Sequence, residues 1–292
     1  MNELGGARAE PMSRHTSLHI GGPADFFVRV RSEDDLVGAV RVAREAELPT
    51  FILGGGTNLL VADAGIRGVV FANMWSDVSV HGTVLDAASG TPLASVAAAA
   101  ARNGIVGLEW MATVPGTVGG AVHGNAGAFG SDTASALLDA RLLDLNGDIW
   151  NASLDDLEYS YRTSALQGTP TMVVRARFHG DVGDRASAVR RIKEIANERI
   201  AKQPLAQPNT GSIFRNPPAD HAGRLIEAAG LKGTRIGDAM VSEKHANFIV
   251  NAGTASAADV RALIRRCQAE VKARFGVDLV PEVELVGEWE EE

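Results

Sequence analysis

Cysteine is almost absent from the 292-residue sequence, and long hydrophobic runs are absent altogether. The single thiol, Cys267, cannot form an internal disulfide, so the fold does not require an oxidising compartment. No stretch approaches the roughly 20 consecutive apolar residues that a membrane-spanning helix needs. The N-terminal segment lacks the apolar core of a signal peptide, and we therefore expect a soluble, cytoplasmic protein.

Positive charge is also scarce. The 28 lysine and arginine residues are outnumbered by 36 acidic residues, which gives a net charge of −8. Because no block of basic residues interrupts this balance, a nucleic-acid-binding surface is disfavoured. The length and the 45% hydrophobic content are sufficient for two domains. We expect a monomer that acts on small molecules, without a metal ion and without a nucleic-acid or membrane partner.

Strand and helix signals are mixed along the chain without a regular alternation, which favours an α+β fold over a doubly wound sheet. Ser32 begins a capping box, and the helix after it is predicted to run to about Leu48. Thr91 is predicted to cap a second helix, with Pro92 as the first helical residue. The Asn146-Gly147 pair between two apolar runs predicts a hairpin with a type I′ turn.

Two longer helices are predicted in the second half of the chain. The first has apolar residues at helical spacing, namely Val189, Ile192, Ala196 and Ile200. The stretch QPLAQPNTG follows, and its prolines predict a domain boundary. The second helix is capped by Ser256, and its apolar stripe is predicted to comprise Val260, Leu263, Ile264, Cys267, Val271 and Phe275. We interpret Cys267 as a core residue rather than a catalytic thiol.

Glycine is concentrated in two segments, LGGGTNLL at 53–60 and PGTVGGAVHGNAG at 115–127. Neither matches the G-x-G-x-x-G or G-x-x-x-x-G-K-[ST] fingerprint of common nucleotide sites. Exposed N–H groups in such segments can hold a pyrophosphate without lysine, and glycine lets a ligand approach the main chain closely. The low charge nearby suits a large flat cofactor with apolar walls. The alternative is that the glycines form tight turns and bulges.

Further motifs accompany the glycine segments in a fixed order. They are HTSLHIGGPADFFV, FILGGGTNLL, GLEWMATVPGTVGGAVHGNAGAFG, YSYRTSAL, KQP, NTGSIFRNP, AGRLIEAAGLKG, VSEKHANFIVN and FGVDLVPEVELVG. In order and spacing they resemble the UDP-N-acetylenolpyruvoylglucosamine reductase family, flavoenzymes that make UDP-N-acetylmuramate for peptidoglycan. The resemblance extends from Thr16 to Gly287. The segment between Arg162 and the following long helix is short. In this respect the sequence resembles the branch of the family that lacks an extra substrate-covering loop.

The resemblance implies an architecture and a chemistry. Residues 1–203 would form an FAD-binding domain of the PCMH (vanillyl-alcohol-oxidase) type, with lobes at about 1–75 and 76–203. Residues 204–292 would form a smaller α+β substrate-binding domain. FAD would be bound non-covalently and reduced by NADPH. A hydride would then pass from flavin N5 to the terminal carbon of the enolpyruvyl group.

The resemblance also implies three catalytic residues. Arg162 would stabilise the enolate, since a guanidinium binds a carboxylate in a planar fork and keeps its proton. Ser212 aligns with the family's proton donor. Glu282 matches a glutamate close to the substrate carboxylate.

Two groups of binding residues follow from the same resemblance. The residues that would contact FAD are Gly54, Gly55, Gly56, Thr57, Asn58, Leu59, Pro115, Gly116, Gly119, Gly120, His123, Asn125, Ala126 and Gly127. The residues that would contact the substrate, or support those that do, are Arg199, Lys202, Arg215, Asn216 and His245.

Two other functions compete with the reductase. An oxidase with the same FAD domain would pass electrons to oxygen and would not need Ser212. A flavin-binding module without catalysis would have lost part of the catalytic set, whereas Arg162, Ser212 and Glu282 are all present. The sequence departs from the family pattern at three positions outside this set, His19, Leu166 and Asp238.

Overall fold

The computed structural model describes residues 6–289, which form two compact units. The first unit comprises the described residues up to Arg8, then Phe26–Gly55 and Gly68–Arg199. The second comprises Ala9–Asp25, Gly56–Arg67 and the described chain from Ile200 onwards. The sequence predicted one boundary at 203/204. It did not anticipate that two N-terminal segments pack with the C-terminal part.

The chain mixes short strands with helices, and this confirms the α+β class. The strands are β1 Ala7–Pro11, β2 Pro23–Val30, β3 Thr50–Leu53, β4 Leu59–Val61, β5 Ile66–Asn73, β6 Val78–His81, β7 Val84–Ala88, β8 Ile105–Val106, β9 Gly127–Ala128, β10 Ser131–Asp132, β11 Leu137–Leu143, β12 Ile149–Ala152, β13 Met172–His179, β14 Asp181–Val182, β15 Arg235–Ile236, β16 Ala239–Val241, β17 Ile249–Asn251 and β18 Glu284–Val286. The α-helices are α1 Glu33–Glu45, α2 Leu93–Arg102, α3 Val118–Gly124, α4 Thr133–Ala136, α5 Leu154–Leu157, α6 Arg185–Lys202, α7 Ala222–Ala228 and α8 Ala257–Phe275.

The first unit contains a five-stranded antiparallel sheet in the order β12-β11-β13-β7-β6. Helices α2 and α3 pack on this sheet, and Val96, Val118 and Phe178 lie in their shared core. A second sheet has the order β1-β2-β5-β3, and Leu36 of α1 packs with Phe71 of β5 in a separate cluster. These cores support the glycine segments, because 53–56 follows β3 and 115–127 contains α3.

The second unit contains the antiparallel sheet β15-β16-β17, with the long helix α8 packed against β15 and β16. Its core joins Leu225 of α7, Leu263 of α8 and Phe214 of the preceding loop. Strand β18 pairs in parallel with β4, so Glu284 lies opposite Leu59. This pairing brings the end of the first glycine segment to the C-terminal strand.

The local helix signals were partly right. The Ser32 hydroxyl accepts the N–H of Asp35, as predicted, but the Asp35 carboxylate accepts the N–H of Arg31, so the predicted capping box forms only in part. Helix α1 ends at Glu45, before Glu47, which has a left-handed φ of 51°. The predicted Thr91 cap is wrong. Helix α2 begins after Pro92, and the Thr91 hydroxyl instead bonds the backbone of Asp77 at 2.8 and 3.0 Å.

The predicted hairpin exists, but its turn differs from type I′. Residues 144–148 connect Leu143 to its partner Ile149. A type I′ turn needs positive φ at both central residues, whereas here Gly147 has a φ of 90° and Asn146 is not left-handed. The Asp144 carboxylate accepts the N–H groups of Asn146 and Asp148 and so stabilises the wider loop.

The apolar stripe predicted on α6 is also wrong. The buried side chains are Ala188 and Ile195, while Val189 and Ile200 are 38% and 60% exposed. On α8 the stripe is confirmed except for Phe275, which is exposed. Burial raises the pKa of the Cys267 thiol to about 12, which fits a core residue. Within residues 6–289 no helix is both long and apolar enough to cross a membrane.

A carboxylate that follows β4 caps α8. Asp63 accepts the N–H groups of Ala257 and Ala258 at 2.8 and 3.0 Å, in addition to the reciprocal bonds between Ser256 and Asp259. We expect Asp63→Ala to lower the free energy of unfolding by about 1–2 kcal/mol, because both N–H groups lose their acceptor. Urea denaturation measures this loss. Asp63→Asn keeps one acceptor oxygen and should lose less, and unchanged midpoints in both variants would contradict the prediction.

Candidate active site

The first glycine segment leaves β3 at Leu53, and its opening residues Gly54 and Gly55 are exposed. A Cβ on Gly54 would lie 2.5 Å from the Thr117 hydroxyl oxygen of the second glycine segment. Gly54 therefore approaches Thr117 within the first unit, as expected if the two segments serve one ligand.

Gly56 differs from its neighbours because the fold itself requires glycine there. Its φ is 61°, it is buried, and a Cβ would lie 2.0 Å from the carbonyl oxygen of His15. Its own carbonyl accepts the N–H of Ser17. The tight-turn explanation therefore accounts for Gly56 without a ligand.

The second glycine segment also contains one glycine that the fold explains and one that it does not. The N–H of Gly119 donates to Ser89 at 2.7 Å, and a Cβ on Gly119 would lie 3.1 Å from the Ser89 Cβ. Gly120 is exposed, and the nearest atom to its hypothetical Cβ is the Thr117 hydroxyl at 3.9 Å. Nothing described in the protein therefore explains glycine at 120, and a ligand that approaches this backbone would.

The end of the second segment is a rigid corner. Asn125 has a left-handed φ of 44° and is almost fully buried. Its amide nitrogen donates to the Ser160 carbonyl at 2.9 Å, and its amide oxygen accepts the N–H of Ala134. These bonds are within the protein, so the Asn125 side chain supports the corner. A Cβ on Gly127 would lie 2.5 Å from the Ser131 carbonyl oxygen.

The YSYRTS motif lies across this corner. The Tyr159 hydroxyl donates to the backbone carbonyl of Val122, and the Ser164 hydroxyl donates to the backbone carbonyl of His123 at 2.6 Å. Burial, followed by the charge of Asp132, raises the pKa of Tyr159, which keeps its hydroxyl protonated as a donor. The motif thus fixes residues 122–127 of the second glycine segment.

Arg162 points its guanidinium at the same corner. Nη2 donates to the Gly127 carbonyl at 2.6 Å, and Nη1 donates to the Asn125 carbonyl at 3.4 Å. The residue has a φ of 59°, an uncommon conformation for a side chain other than glycine. The guanidinium carbon lies 4.9 Å from the centre of the Tyr161 ring. The predicted catalytic arginine is therefore held beside the predicted cofactor segment.

In the second unit, the segment that carries Ser212 is held between two neighbours. The N–H of Ile213 donates to the Asn247 carbonyl at 2.8 Å, and the Ile213 carbonyl accepts the N–H of Glu282 at 2.7 Å. The Asn247 side chain also bonds both backbone groups of Phe214. The backbone of the predicted residue Glu282 is thus bonded to Ile213, which directly follows the predicted proton donor Ser212.

Asn58 adds the first glycine segment to this group. Its amide nitrogen donates to the Glu282 carbonyl at 3.0 Å, and its own carbonyl accepts the N–H of Glu284 at 3.0 Å. This predicted cofactor residue therefore also fixes the backbone of a predicted catalytic residue.

Two polar atoms near Ser212 are buried without a hydrogen-bond partner in the described residues, Arg215 Nε and Thr210 Oγ1. Buried polar atoms in native proteins are nearly always paired, so both atoms are available to bind a ligand or an ordered water. Arg215 was predicted from the sequence. Thr210 was not, because a threonine in a turn motif gives no signal until its burial is known.

The remaining predicted substrate residues have varied surroundings. Arg199 and Lys202 lie on α6, and burial lowers the pKa of Arg199. Asn216 accepts the N–H of Ala222 at the start of α7. Burial, followed by the charge of Lys232, lowers the pKa of His245, whose ring packs edge-on against Phe248. The His245 Nδ1 accepts the N–H of Asn247 at 3.3 Å, so this side chain supports the loop that carries Asn247.

The three residues that depart from the family pattern lie in different surroundings. The Asp238 carboxylate accepts the N–H and hydroxyl of Thr254 and closes a turn. Leu166 is buried in the core of the first unit. His19 is exposed with a left-handed φ of 57°.

Two family models match the chain. The model described as UDP-N-acetylenolpyruvoylglucosamine reductase, C-terminal domain, matches residues 203–286, and the FAD binding domain matches residues 24–153. The chain is 45% identical to UDP-N-acetylenolpyruvoylglucosamine reductase 2 of Symbiobacterium thermophilum, across 96% of this chain and 92% of that protein. It is 44% identical to the reductase of Caldanaerobacter subterraneus, across 96% and 93% of the two chains.

A solved structure agrees with these relatives. The crystal structure of UDP-N-acetylenolpyruvylglucosamine reductase from Thermus caldophilus superposes with a TM-score of 0.82 at 34% identity. The match covers 94% of this chain and 97% of that one. Together with the family models it confirms the predicted fold class, an FAD-binding domain followed by a smaller α+β domain.

Proposed function

The chain belongs to the UDP-N-acetylenolpyruvoylglucosamine reductase family, and we propose that it reduces UDP-N-acetylenolpyruvoylglucosamine to UDP-N-acetylmuramate with NADPH. It is an FAD-dependent oxidoreductase, since the FAD binding domain matches residues 24–153. The observation that carries the proposal is 45% identity to a reductase over 96% of the chain, and the sequence contains the proposed catalytic residues Arg162, Ser212 and Glu282.

The described residues fit FAD. Gly54, Gly55 and Gly120 present exposed backbone without side chains, and neutral N–H groups of this kind can hold phosphates. When bound and reduced by NADPH, FAD would supply a hydride to the terminal carbon of the enolpyruvyl group. Cys267 is buried in the core of the second unit, and its high thiol pKa makes it unsuitable for covalent attachment. We propose non-covalent binding.

For Arg162 we propose stabilisation of the substrate enolate. Once the terminal carbon has gained a hydride, negative charge builds on the adjacent carbon and its carboxylate. A guanidinium stays protonated and offers donors in one plane, which matches the two oxygens of a carboxylate. The hydrogen bonds that Arg162 donates to the Asn125 and Gly127 carbonyls hold the guanidinium in position before the reaction. Little reorganisation is therefore needed as the charge develops.

For Ser212 we propose delivery of a proton to the α-carbon. A serine hydroxyl is a weak acid in water, so it donates only as the enolate collapses and is then reprotonated. For Glu282 we propose a place beside the substrate carboxylate. The unpaired Arg215 Nε supports a role for that arginine in binding an anionic group of the substrate, and Lys202, Arg199 and Asn216 are proposed to assist.

A direct test follows NADPH consumption by the purified protein and identifies the product. NADPH should disappear only when UDP-N-acetylenolpyruvoylglucosamine is present, and mass spectrometry should find UDP-N-acetylmuramate, heavier than the substrate by two hydrogen atoms. If NADPH were consumed equally fast with oxygen alone and hydrogen peroxide accumulated, the protein would be an oxidase.

Gly120→Val separates the requirements of the fold from those of the cofactor. The space around Gly120 accepts a Cβ, so the variant should fold, but its side chain should block close approach of FAD. We expect the affinity for FAD to fall at least about tenfold, which corresponds to about 1.4 kcal/mol of lost binding, and the flavin content after purification to fall below that of the parent. Absorbance of the purified protein measures this. Gly119→Val is less informative because it crowds Ser89.

The matched control is Gly38→Val. Gly38 lies in α1 of the same unit, and nothing is within 4 Å of its hypothetical Cβ. It should retain the flavin. Full flavin occupancy in Gly120→Val would mean that the second glycine segment does not bind FAD at this position.

A further inference from the structure

We propose that Tyr161 is a positioning residue for Arg162, and that its aromatic ring holds the guanidinium in the plane needed to receive the substrate carboxylate. The inference rests on the proposed function of Arg162. The YSYRTSAL motif does not indicate a role for Tyr161, because the contact of its side chain with Arg162 depends on ring orientation.

The contact is between the face of the ring and the cation. The guanidinium carbon of Arg162 lies 4.9 Å from the ring centre of Tyr161, within the range of a cation–π interaction. Tyr161 is 52% exposed, so the ring is not held there as part of a hydrophobic core. An aromatic side chain at the surface beside the predicted catalytic arginine needs another explanation, and the guanidinium provides one.

The ring and the hydrogen bonds restrain the arginine in different ways. An aromatic ring in contact with a guanidinium restricts its rotation, while the N–H groups remain donors in the plane of the guanidinium. The Asn125 and Gly127 carbonyls fix the position of two terminal nitrogens. The ring and the carbonyls together define both the plane of the guanidinium and its direction.

The backbone conformation of Arg162 indicates that the fold holds the side chain in this position at an energetic cost. Arg162 takes a left-handed φ of 59°, which costs energy for any residue with a Cβ. The bonds of the neighbouring Tyr159 and Ser164 to residues 122–123 keep the motif in place. A strained residue in an anchored motif, with its side chain in contact with an aromatic ring and hydrogen-bonded to two carbonyls, is what a pre-organised anion-binding group requires.

The test compares Tyr161→Leu with Tyr161→Phe in the FAD-loaded protein. The leucine variant loses the ring, and the phenylalanine variant keeps it and loses only the hydroxyl. With Tyr161→Leu, we expect flavin reoxidation by saturating substrate to slow about 3- to 30-fold, the range of a lost cation–π contact. Flavin content and flavin reduction by NADPH should stay at the parent values. Tyr161→Phe should restore reoxidation to within about twofold of the parent, because the ring face remains.

Two further variants make the result specific. Trp150→Leu removes a 41% exposed aromatic ring of β12 in the same unit and should change neither half of the reaction. In an Arg162→Lys background, Tyr161→Leu should add little, because the flat cation that the ring positions is already gone.

The outcomes separate this inference from the proposed function. If Arg162→Lys slows reoxidation but Tyr161→Leu does not, the positioning role is overturned and the reductase stands. If Tyr161→Phe is as slow as Tyr161→Leu, the hydroxyl acts on the ligand, and the inference is again overturned. If Arg162→Lys itself reoxidises at the parent rate, both the role of Arg162 and the inference fail.

Discussion

Ser212→Ala is expected to slow flavin reoxidation by UDP-N-acetylenolpyruvoylglucosamine by about 10²–10⁴-fold, the usual effect of losing a general acid. Flavin reduction by NADPH should remain close to the parent rate, because that hydride transfer takes no proton from the serine. The substitution keeps the side chain nearly the same size. The backbone bonds of Ile213 to Asn247 and Glu282 do not involve the Ser212 hydroxyl, so the scaffold should persist.

Single-turnover absorbance on separately prepared oxidised and reduced protein measures each half. Ser212→Cys provides the finer comparison, since a thiol can donate a proton and should retain more activity than alanine. Ser79→Ala, on β6 of the first unit, is the control and should resemble the parent. Equal slowing of both halves in Ser212→Ala would mean that the serine orients the pocket and is not the proton donor.

Arg162→Lys is expected to raise the barrier of the same second half by about 3 kcal/mol, in the range of a lost oxyanion donor. Lysine keeps the charge but offers neither the planar fork nor the second nitrogen that bonds a carbonyl at this corner. The rate of reoxidation should therefore fall by about two orders of magnitude, since each 1.36 kcal/mol is tenfold. Flavin reduction by NADPH should change little.

Arg177→Lys is the matched control. Arg177 is an exposed arginine of β13 in the same unit, paired with Asp139, and lies outside the proposed site. Its replacement should leave both halves at the parent rate. Loss of flavin reduction in Arg162→Lys, to the same extent as reoxidation, would show that the arginine supports the flavin and not the enolate.

Local signals predicted part of the fold. The caps at Ser32 and Ser256 were predicted correctly because a cap depends on residues three positions apart. The stripe on α6 was not, because periodicity cannot say which face finds a partner, and here Ala188 and Ile195 are buried. The packing of residues 9–25 and 56–67 with the C-terminal unit depends on contacts distant in sequence, which no local pattern encodes.

The candidate site, like the fold, could be predicted from the sequence only in part. The motifs predicted Arg162 and Ser212 as catalytic residues through resemblance to a family, which composition alone could not do. The glycine segments were recognised as unusual, yet sequence could not tell that Gly56 is required by the fold whereas Gly120 is not. The bond from Asn58 to Glu282 joins residues 224 positions apart, and the contact of the Arg162 guanidinium with the Tyr161 ring depends on side-chain orientation. Such contacts become visible only in three dimensions.

The most direct test of the account is the absorbance of the flavin bands through one complete cycle without oxygen. The purified protein should be yellow, NADPH should bleach it, and UDP-N-acetylenolpyruvoylglucosamine should restore the oxidised spectrum with one UDP-N-acetylmuramate formed per flavin. Bleached flavin that stays reduced with this substrate, and recovers only when air is admitted, would contradict the proposed reductase.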